Sequence, residues 1–217
     1  MKQTKISIYN HKGGVGKSVS IINLAYFLQK LQKSVLVVDC DSQRNSLDFW
    51  NNKASGVRVS VLDWDTYSEN KGECDEFEYV LFDLPPLQPT NPEIVEIVSQ
   101  CDTVFVPIKL GEFEISGLAN VTSEIGKLGA KFGGVFVTMY KPKTDAEVLM
   151  EFQDIMGERL INTLIPDSAT VGESLKCGMS VEEYLDFRRV PRLVKSSRKI
   201  ALAYEALTAE ILERTNA

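Results

Sequence analysis

The sequence has few of the residues from which metal sites and nucleophilic sites are commonly built. Its 217 residues include one histidine, His11, and four cysteines that lie far apart and form no Cys-x-x-Cys pair. Zinc sites built on two or three histidines are therefore excluded, and a Ser-His-Asp triad would have to use His11. Cysteines spaced in this way are typical of reduced, mostly buried residues rather than of disulfides.

Long apolar runs and a large excess of one charge are also absent from the sequence. No apolar run exceeds five residues, whereas a helix that crosses a bilayer needs about 20. The net charge is −6, with 44% hydrophobic and 25% charged residues, as in an ordinary globular protein. We therefore expect one domain spanning residues 1–217, located in the cytoplasm and not associated with a membrane.

Short apolar runs alternate with segments of helical periodicity along the chain. Strands are predicted at Ile6–Tyr9, Val35–Val38, Val57–Val61, Tyr79–Phe82, Val104–Val106, Gly134–Met139 and Leu160–Ile165. Helices are predicted at Ile21–Leu31, Pro92–Ser99, Ile115–Leu128, Ala146–Met156 and Arg192–Leu212. This alternation indicates an α/β fold with a mostly parallel twisted sheet and helices on both faces. The acidic, poorly patterned segment Asp63–Glu78 is predicted to be a surface loop.

The strongest motif is His11-Lys12-Gly13-Gly14-Val15-Gly16-Lys17-Ser18. It follows a predicted strand and opens a predicted helix, which is the setting of a phosphate-binding loop. Its glycines allow backbone N–H groups to turn toward an anion at the start of the helix. Lys17 can reach terminal phosphates and the Ser18 hydroxyl can bind Mg²⁺, although His11 replaces the usual first glycine.

Two acidic motifs end later strands. Asp39-Cys40-Asp41 follows the second predicted strand, and Asp83-Leu84-Pro85-Pro86 follows the fourth. Alone, Asp39 and Asp41 would be best explained as caps of the helix that follows. After a phosphate-binding loop, they and Asp83 instead indicate Mg²⁺ binding and phosphoryl transfer.

These three motifs together resemble the ParA/MinD family of deviant Walker A ATPases, most closely its short partition ATPases. The resemblance implies a P-loop NTPase fold without an additional N-terminal DNA-binding domain, ATP and Mg²⁺ as cofactors, and a homodimer on ATP binding. It implies that Lys12 contacts the nucleotide of the other subunit, that Asp39 and Asp83 hold Mg²⁺ with Ser18, and that Asp41 orients the attacking water. The catalytic set is then Lys12, Lys17 and Asp41. The chain departs from the family pattern at Ser42, where proline is usual, and at Arg44, where glycine is usual.

The resemblance continues into the second half of the chain. Residues Thr163–Ser174 resemble the loop that holds the nucleotide base, which places Pro166 and Asp167 near the adenine. The full nucleotide-binding set is Lys12, Gly13, Gly14, Val15, Gly16, Lys17, Ser18, Val19, Pro166 and Asp167.

A strip of six cations without an intervening acid lies between residues 188 and 199: Arg188, Arg189, Arg192, Lys195, Arg198 and Lys199. Such a run is usually a solvated helix face, but in the family similar residues bind nucleoid DNA without sequence preference. The resemblance therefore implies an ATPase of DNA partition or cargo positioning, released from the nucleoid when a ParB-like or adaptor protein stimulates its weak intrinsic ATP hydrolysis.

Two other functions are weighed against partition. A MinD-like regulator at a membrane would need a terminal amphipathic helix, but the apolar positions from Ile200 to Ile211 have acids beside them, and we expect them to pack on the core. An iron–sulfur reductase would need paired cysteines at a dimer interface, and no such pair is present.

Overall fold

Seven strands form one sheet in the computed structural model, which describes residues 3–53, 56–111, 122–191 and 198–216. The strands are β1 (Thr4–Ile8), β2 (Val35–Asp39), β3 (Ser60–Asp63), β4 (Tyr79–Asp83), β5 (Thr103–Ile108), β6 (Lys131–Tyr140) and β7 (Leu160–Pro166). Their order is β3-β2-β4-β1-β5-β6-β7, and each pair of neighbours is parallel. The predicted α/β class is confirmed.

Helices cover both faces of this sheet. They are α1 (Lys17–Lys30), α2 (Asn45–Asn51), α3 (Trp64–Glu69), α4 (Pro92–Val98), α5 (residues 122–127), α6 (Pro142–Met156), α7 (Ala169–Lys176), α8 (Val181–Phe187) and α9 (Lys199–Asn216). Two short 3₁₀ helices lie at Lys71–Glu76 and Gly157–Arg159. Side chains of the strands alternate between two cores: Val35 and Val37 of β2 pack with α1, α8 and α9, whereas Leu36 and Val38 pack with α3 to α6.

The strand order places β1 at the centre, between β4 and β5. The connection from β1 leads to β2 in one half of the sheet, whereas the connection from β4 passes β1 and leads to β5 in the other half, so a crevice opens beyond the carboxyl end of β1. Because all strands run in the same direction, the loops that follow β1, β2 and β4 meet at this edge. The three sequence motifs occupy these three loops.

The prediction of a surface loop over Asp63–Glu78 is wrong. This segment contains the end of β3, helix α3 and a 3₁₀ helix. The Asp63 side chain caps α3 by accepting from the Thr66 N–H at 2.9 Å, and Tyr67 is buried against Phe82 with ring centroids 5.4 Å apart. The acidic composition concealed one apolar face, which Trp64 and Tyr67 form at a spacing of three residues.

Other boundaries differ from the predictions by a few residues. Strand β3 begins at Ser60 rather than Val57, β6 extends to Lys131–Tyr140, and α6 begins at Pro142, which occupies the first helical turn. Parts of two predicted helices, residues 115–121 and 192–197, lie outside the described residues. The four cysteines are free, and Cys40, Cys74 and Cys101 are buried, as predicted, while Cys177 is exposed.

Helix α9 packs on the core, as expected from its pattern. Its residues Ile200, Tyr204, Leu207 and Ile211 are buried together with α1 and the sheet. Within the described ranges, no helix combines the length and apolarity needed to cross a membrane.

Candidate nucleotide-binding site

The phosphate-binding loop lies between β1 and α1, beyond the carboxyl end of the central strand. Gly14 and Gly16 have φ angles of 69° and 87°, which are left-handed values that glycine adopts without strain. Gly16 is the N-cap of α1 and supplies no capping side chain. The first N–H groups of a 14-residue helix are therefore directed into the loop, where an anion can accept from them.

Hydrogen bonds from two polar side chains, Asn10 and Thr138, hold this loop in place. The sequence motifs did not include either residue. Asn10 Nδ2 donates to the Pro107 carbonyl at 2.8 Å, while its Oδ1 accepts from the Lys12 N–H at 2.9 Å. The Thr138 hydroxyl lies 2.9 Å from the Val15 carbonyl oxygen, which ties the loop to β6. Both residues are polar positions at the carboxyl end of a buried strand, which is the signal that could have identified them.

Lys17 is held inside the loop. It is only 8% exposed, and its ammonium donates to the Lys12 carbonyl at 3.1 Å. Burial lowers the pKa of Lys17, while the nearby carboxylates of Asp83 and Asp41 raise it and so favour the charged form. A third cation lies close by, because a Cβ added to Gly14 would be 4.0 Å from Lys109 Nζ.

Asp83 lies beneath the loop and is 1% exposed. Its Oδ2 accepts from the Ser46 hydroxyl at 2.5 Å, whereas Oδ1 is buried without a hydrogen-bond partner among the described residues. Burial, with a smaller contribution from Asp39, raises the pKa of Asp83 to about 7, although the hydroxyls of Ser46 and Ser18 and the charge of Lys17 oppose this shift. A buried acceptor without a partner is costly unless a ligand satisfies it.

Asp39 ends β2 and is also buried. Its two oxygens accept from the Leu47 N–H at 2.8 Å and from the Asp41 N–H at 3.0 Å. The N-cap residue of α2 is Arg44, whose side chain accepts no hydrogen bond from the helix. The Asp39 carboxylate caps α2 instead, because it accepts from the Leu47 N–H. Burial raises the pKa of Asp39, and these backbone hydrogen bonds oppose the shift.

The group formed by Ser18, Asp39 and Asp83 suits a magnesium ion. All three offer oxygen atoms, which Mg²⁺ prefers, and Mg²⁺ commonly keeps several waters and takes other ligands from phosphates. The buried Asp83 Oδ1 is an acceptor that a magnesium-bound water would satisfy. The residues present therefore fit the predicted cofactor.

A cavity of about 770 Å³ opens over the loop, and the predicted residues Gly13, Gly14, Gly16, Lys17, Ser18, Val19 and Asp41 line it. An adjoining cavity of about 220 Å³ is lined by Pro166 and Asp167, and it shares Gly16, Val19 and Met139 with the first. The volume of the first cavity is typical of sites that bind small molecules. The Val15 side chain is buried and lines neither cavity.

Arg44 departs from the family pattern at a position with a left-handed backbone. Its φ and ψ are 53° and 33°, a conformation that favours glycine. Its exposed guanidinium lies 3.6 Å from Asp63 at the end of β3. The structure thus explains why glycine is usual at this position and shows what the arginine contacts instead.

The predicted basic strip is only partly a surface. Arg188, Arg189 and Lys199 are exposed, while Arg192 and Lys195 lie outside the described residues. Arg198 is 3% exposed and its guanidinium is 2.9 Å from Asp186 and 3.6 Å from Glu182. Its assignment to DNA contact is therefore wrong, because its charge is used within the fold.

The chain belongs to the CobQ/CobB/MinD/ParA nucleotide-binding domain family, whose model matches residues 6–181. The loop, the buried carboxylates and every residue that lines the first cavity lie within this range. The class of the protein is thus a ParA/MinD-type nucleotide-binding ATPase domain.

Individual relatives extend over most of the chain. The chromosome-partitioning ATPase Soj of Treponema pallidum is 25% identical over 260 residues, covering 94% of this chain and 95% of that protein. The MinC:MinD cell division protein complex of Aquifex aeolicus gives a TM-score of 0.73 at 18% identity, covering 97% of this chain and 96% of that chain. Cobyrinic acid a,c-diamide synthase of Mycobacterium smegmatis, with bound ADP and magnesium, gives 0.71 at 16% identity, covering 97% and 94%. At these identities the two structures show the fold alone.

Proposed function

We propose that the protein is an ATP-dependent dimerising ATPase that partitions DNA or positions another cargo. The observation that carries this proposal is that Lys17 and Asp41 line one cavity, which adjoins a second cavity lined by Pro166 and Asp167, while the buried Asp83 lies close enough to raise the pKa of Lys17. The similarity to Soj over 94% of the chain supports partition as the output.

The chemistry follows from the positions of these side chains. The Lys17 ammonium would exchange the Lys12 carbonyl for a phosphate oxygen, and the loop N–H groups would bind the remaining phosphate oxygens. Magnesium, when bound, would neutralise part of the phosphate charge. Asp41 lines the same cavity, where its carboxylate would orient the attacking water. Lys12 would add its charge to the site of a second subunit, which couples dimerisation to the bound nucleotide.

DNA would bind through the exposed members of the basic strip. Arg188 and Arg189 follow the carboxyl end of α8, and Lys199 begins α9. A dimer would present two such patches, giving weak, sequence-independent binding to nucleoid DNA. Each phosphate contact contributes about 0.9 to the slope of log K against log salt.

A partner protein, ParB-like or an adaptor, would stimulate hydrolysis and release the dimer from DNA. The alternative output is MinD-like regulation at a membrane or protein surface. The structural similarity to the MinC:MinD complex is the reason to include this alternative. The experiment below distinguishes it from partition.

The decisive experiment measures DNA binding with ATP, ADP or no nucleotide across a salt series. We expect salt-sensitive binding that requires ATP and is absent in Lys17→Ala. The Arg188→Ala/Arg189→Ala variant should lower the salt slope by about 0.9 for each lost phosphate contact. A matched control is Lys71→Ala/Lys127→Ala, which removes two charges from the opposite face of the sheet, beside α3 and on α5.

Further outcomes separate the parts of the proposal. Asp41→Ala should bind ATP and keep the DNA complex longer, because hydrolysis is lost. ATP-dependent dimerisation without DNA binding would refute the partition output and favour the protein or membrane surface. Undiminished ATP affinity in Lys17→Ala would refute the assignment of the phosphate-binding loop.

A further inference from the structure

Helix α2 contacts both carboxylates of the proposed magnesium site through consecutive residues. The Ser46 hydroxyl donates to Asp83 Oδ2 at 2.5 Å, and the Leu47 N–H donates to Asp39 Oδ2 at 2.8 Å. Asp83 and Asp39 end neighbouring strands, β4 and β2, in register with each other. One helical turn therefore connects two strands at the edge where the nucleotide would bind.

Ser46 is well placed to hold a carboxylate in one orientation. It is 0% exposed, so its hydroxyl has no competing water at the surface. One turn later, Phe49 and Trp50 are buried in the core and pack edge to face with centroids 5.0 Å apart. These rings fix α2 against the sheet, and α2 in turn fixes the Ser46 hydroxyl.

The two oxygens of Asp83 have different surroundings as a result. Oδ2 is occupied by Ser46, while Oδ1 is buried and has no hydrogen-bond partner within the described ranges. A carboxylate that is hydrogen-bonded at one oxygen cannot rotate freely, so the position of its other oxygen is fixed as well. Removing a residue that hydrogen-bonds to a metal ligand commonly lowers the affinity for the metal by about 10- to 100-fold.

We propose that Ser46 is a positioning residue for magnesium binding, because its hydroxyl holds Asp83 Oδ2 and keeps Oδ1 available to a magnesium-bound water. Ser46 lies outside the motif that contains Asp39 and Asp41, two positions beyond Arg44. The inference rests on the nucleotide and magnesium assignment made under the proposed function, and it adds α2 to the elements that build the site.

The test measures ADP affinity by calorimetry, once with Mg²⁺ and once with EDTA. In the unmodified protein Mg²⁺ should tighten ADP binding. In Ser46→Ala the ratio of ADP affinity with Mg²⁺ to ADP affinity in EDTA should fall by roughly 10- to 100-fold. The ADP affinity in EDTA should stay unchanged. Ser46→Cys preserves the volume but donates weakly, so it should behave as Ser46→Ala even if alanine disturbs the packing. Ser46→Thr keeps the hydroxyl and should retain the tightening.

Thr208→Ala is the matched control. Thr208 also has a buried hydroxyl on a helix, but this hydroxyl donates to the Tyr204 carbonyl at 2.8 Å within α9. Its removal should leave the effect of Mg²⁺ unchanged.

Two results would overturn the inference. Unchanged tightening in Ser46→Ala and Ser46→Cys would show that Asp83 needs no support from α2. An equal loss of affinity with Mg²⁺ and with EDTA would show that Ser46 maintains the loop rather than the metal site. If the unmodified protein bound ADP with no effect of Mg²⁺, the magnesium assignment itself would fail, which is a separate outcome.

Discussion

His11 is the residue whose ionisation reports most directly on the phosphate-binding loop. Its pKa is lowered from 6.5, first by burial and then by the charges of Lys12 and Lys17. The imidazole is therefore neutral in the nucleotide-free protein at neutral pH, and its Nδ1 is buried without a partner in the described residues. Bound phosphate would offset the two lysines and move the pKa back upward.

The prediction at this scale is a nuclear magnetic resonance titration of the single histidine. The nucleotide-free protein should give a pKa below 6.5, and a bound nucleotide should raise it. Because the unfolded chain binds this proton more readily, the contribution of His11 to stability is present above pH 6.5 and is lost as the pH falls through and below that value.

Lys12→Ala is a control for this titration. It removes one of the two nearby charges, so the pKa of His11 should rise in the nucleotide-free protein, while the effect of burial remains. A pKa of 6.5 or higher in the unmodified, nucleotide-free protein would contradict the structure.

At the scale of elements, α9 supports an irregular part of β7. The register between β6 and β7 shifts between Val135 and Val137, opposite the stretch from Leu160 to Leu164, so N–H groups of this stretch need acceptors outside the regular ladder. The Glu210 carboxylate of α9 accepts from the N–H groups of Asn162 and Thr163, both at 2.9 Å, and from the Thr163 hydroxyl. A side chain thus supplies the acceptors for two N–H groups in the irregular part of β7.

Glu210→Ala should expose these two N–H groups of β7. We expect faster hydrogen exchange at Asn162 and Thr163, together with a loss of stability of about 1.5–3 kcal/mol, typical of hydrogen bonds to a charged group. Glu205→Ala, at an exposed position of the same helix, is the control and should leave exchange in β7 unchanged. Equal exchange rates in the two variants would refute the role of Glu210.

At the scale of the whole molecule, buried charges join elements that are distant in the chain. Lys53 follows α2, and its side chain is 1% exposed, with Nζ 2.6 Å from Glu183 of α8. Its ammonium also lies 5.3 Å from the ring centroids of Phe49 and Trp50. Arg198 makes ion pairs with the same helix at Glu182 and Asp186. Ion pairs therefore connect α8 both to Lys53, which follows α2, and to Arg198, which immediately precedes α9.

Lys53→Met should destabilise the protein by about 3–5 kcal/mol, because it leaves the Glu183 carboxylate without its counter-charge. Urea unfolding of this variant, of Glu183→Gln and of the double variant measures the effect. The double variant should recover part of the loss, since the glutamine that replaces Glu183 carries no charge to be compensated. A loss in Lys53→Met of less than about 1 kcal/mol, as for an exposed pair, would contradict this account.

The local pattern of the chain was sufficient for much of the fold and for part of the site. Runs such as Val35–Val38 are apolar because both faces of the sheet are covered, so they identify buried parallel strands directly. The phosphate-binding loop could be recognised because its glycines and Lys17 act within a few residues of one another. The helices in Asp63–Glu78 were missed because the acidic composition outweighed the spacing of Trp64 and Tyr67.

Sequence motifs determined the class of chemistry, since each motif is a short run whose function depends on its own backbone turn and side chains. Contacts between distant segments were decided only on folding: the braces from Asn10 and Thr138 to the loop, the hydrogen bond from Ser46 to Asp83, and the burial of Arg198. A charged residue in a sequence has the same appearance whether it faces water or a buried carboxylate. Its environment depends on residues far away in the chain, which explains why Arg198 looked like a DNA contact and instead forms part of the interior.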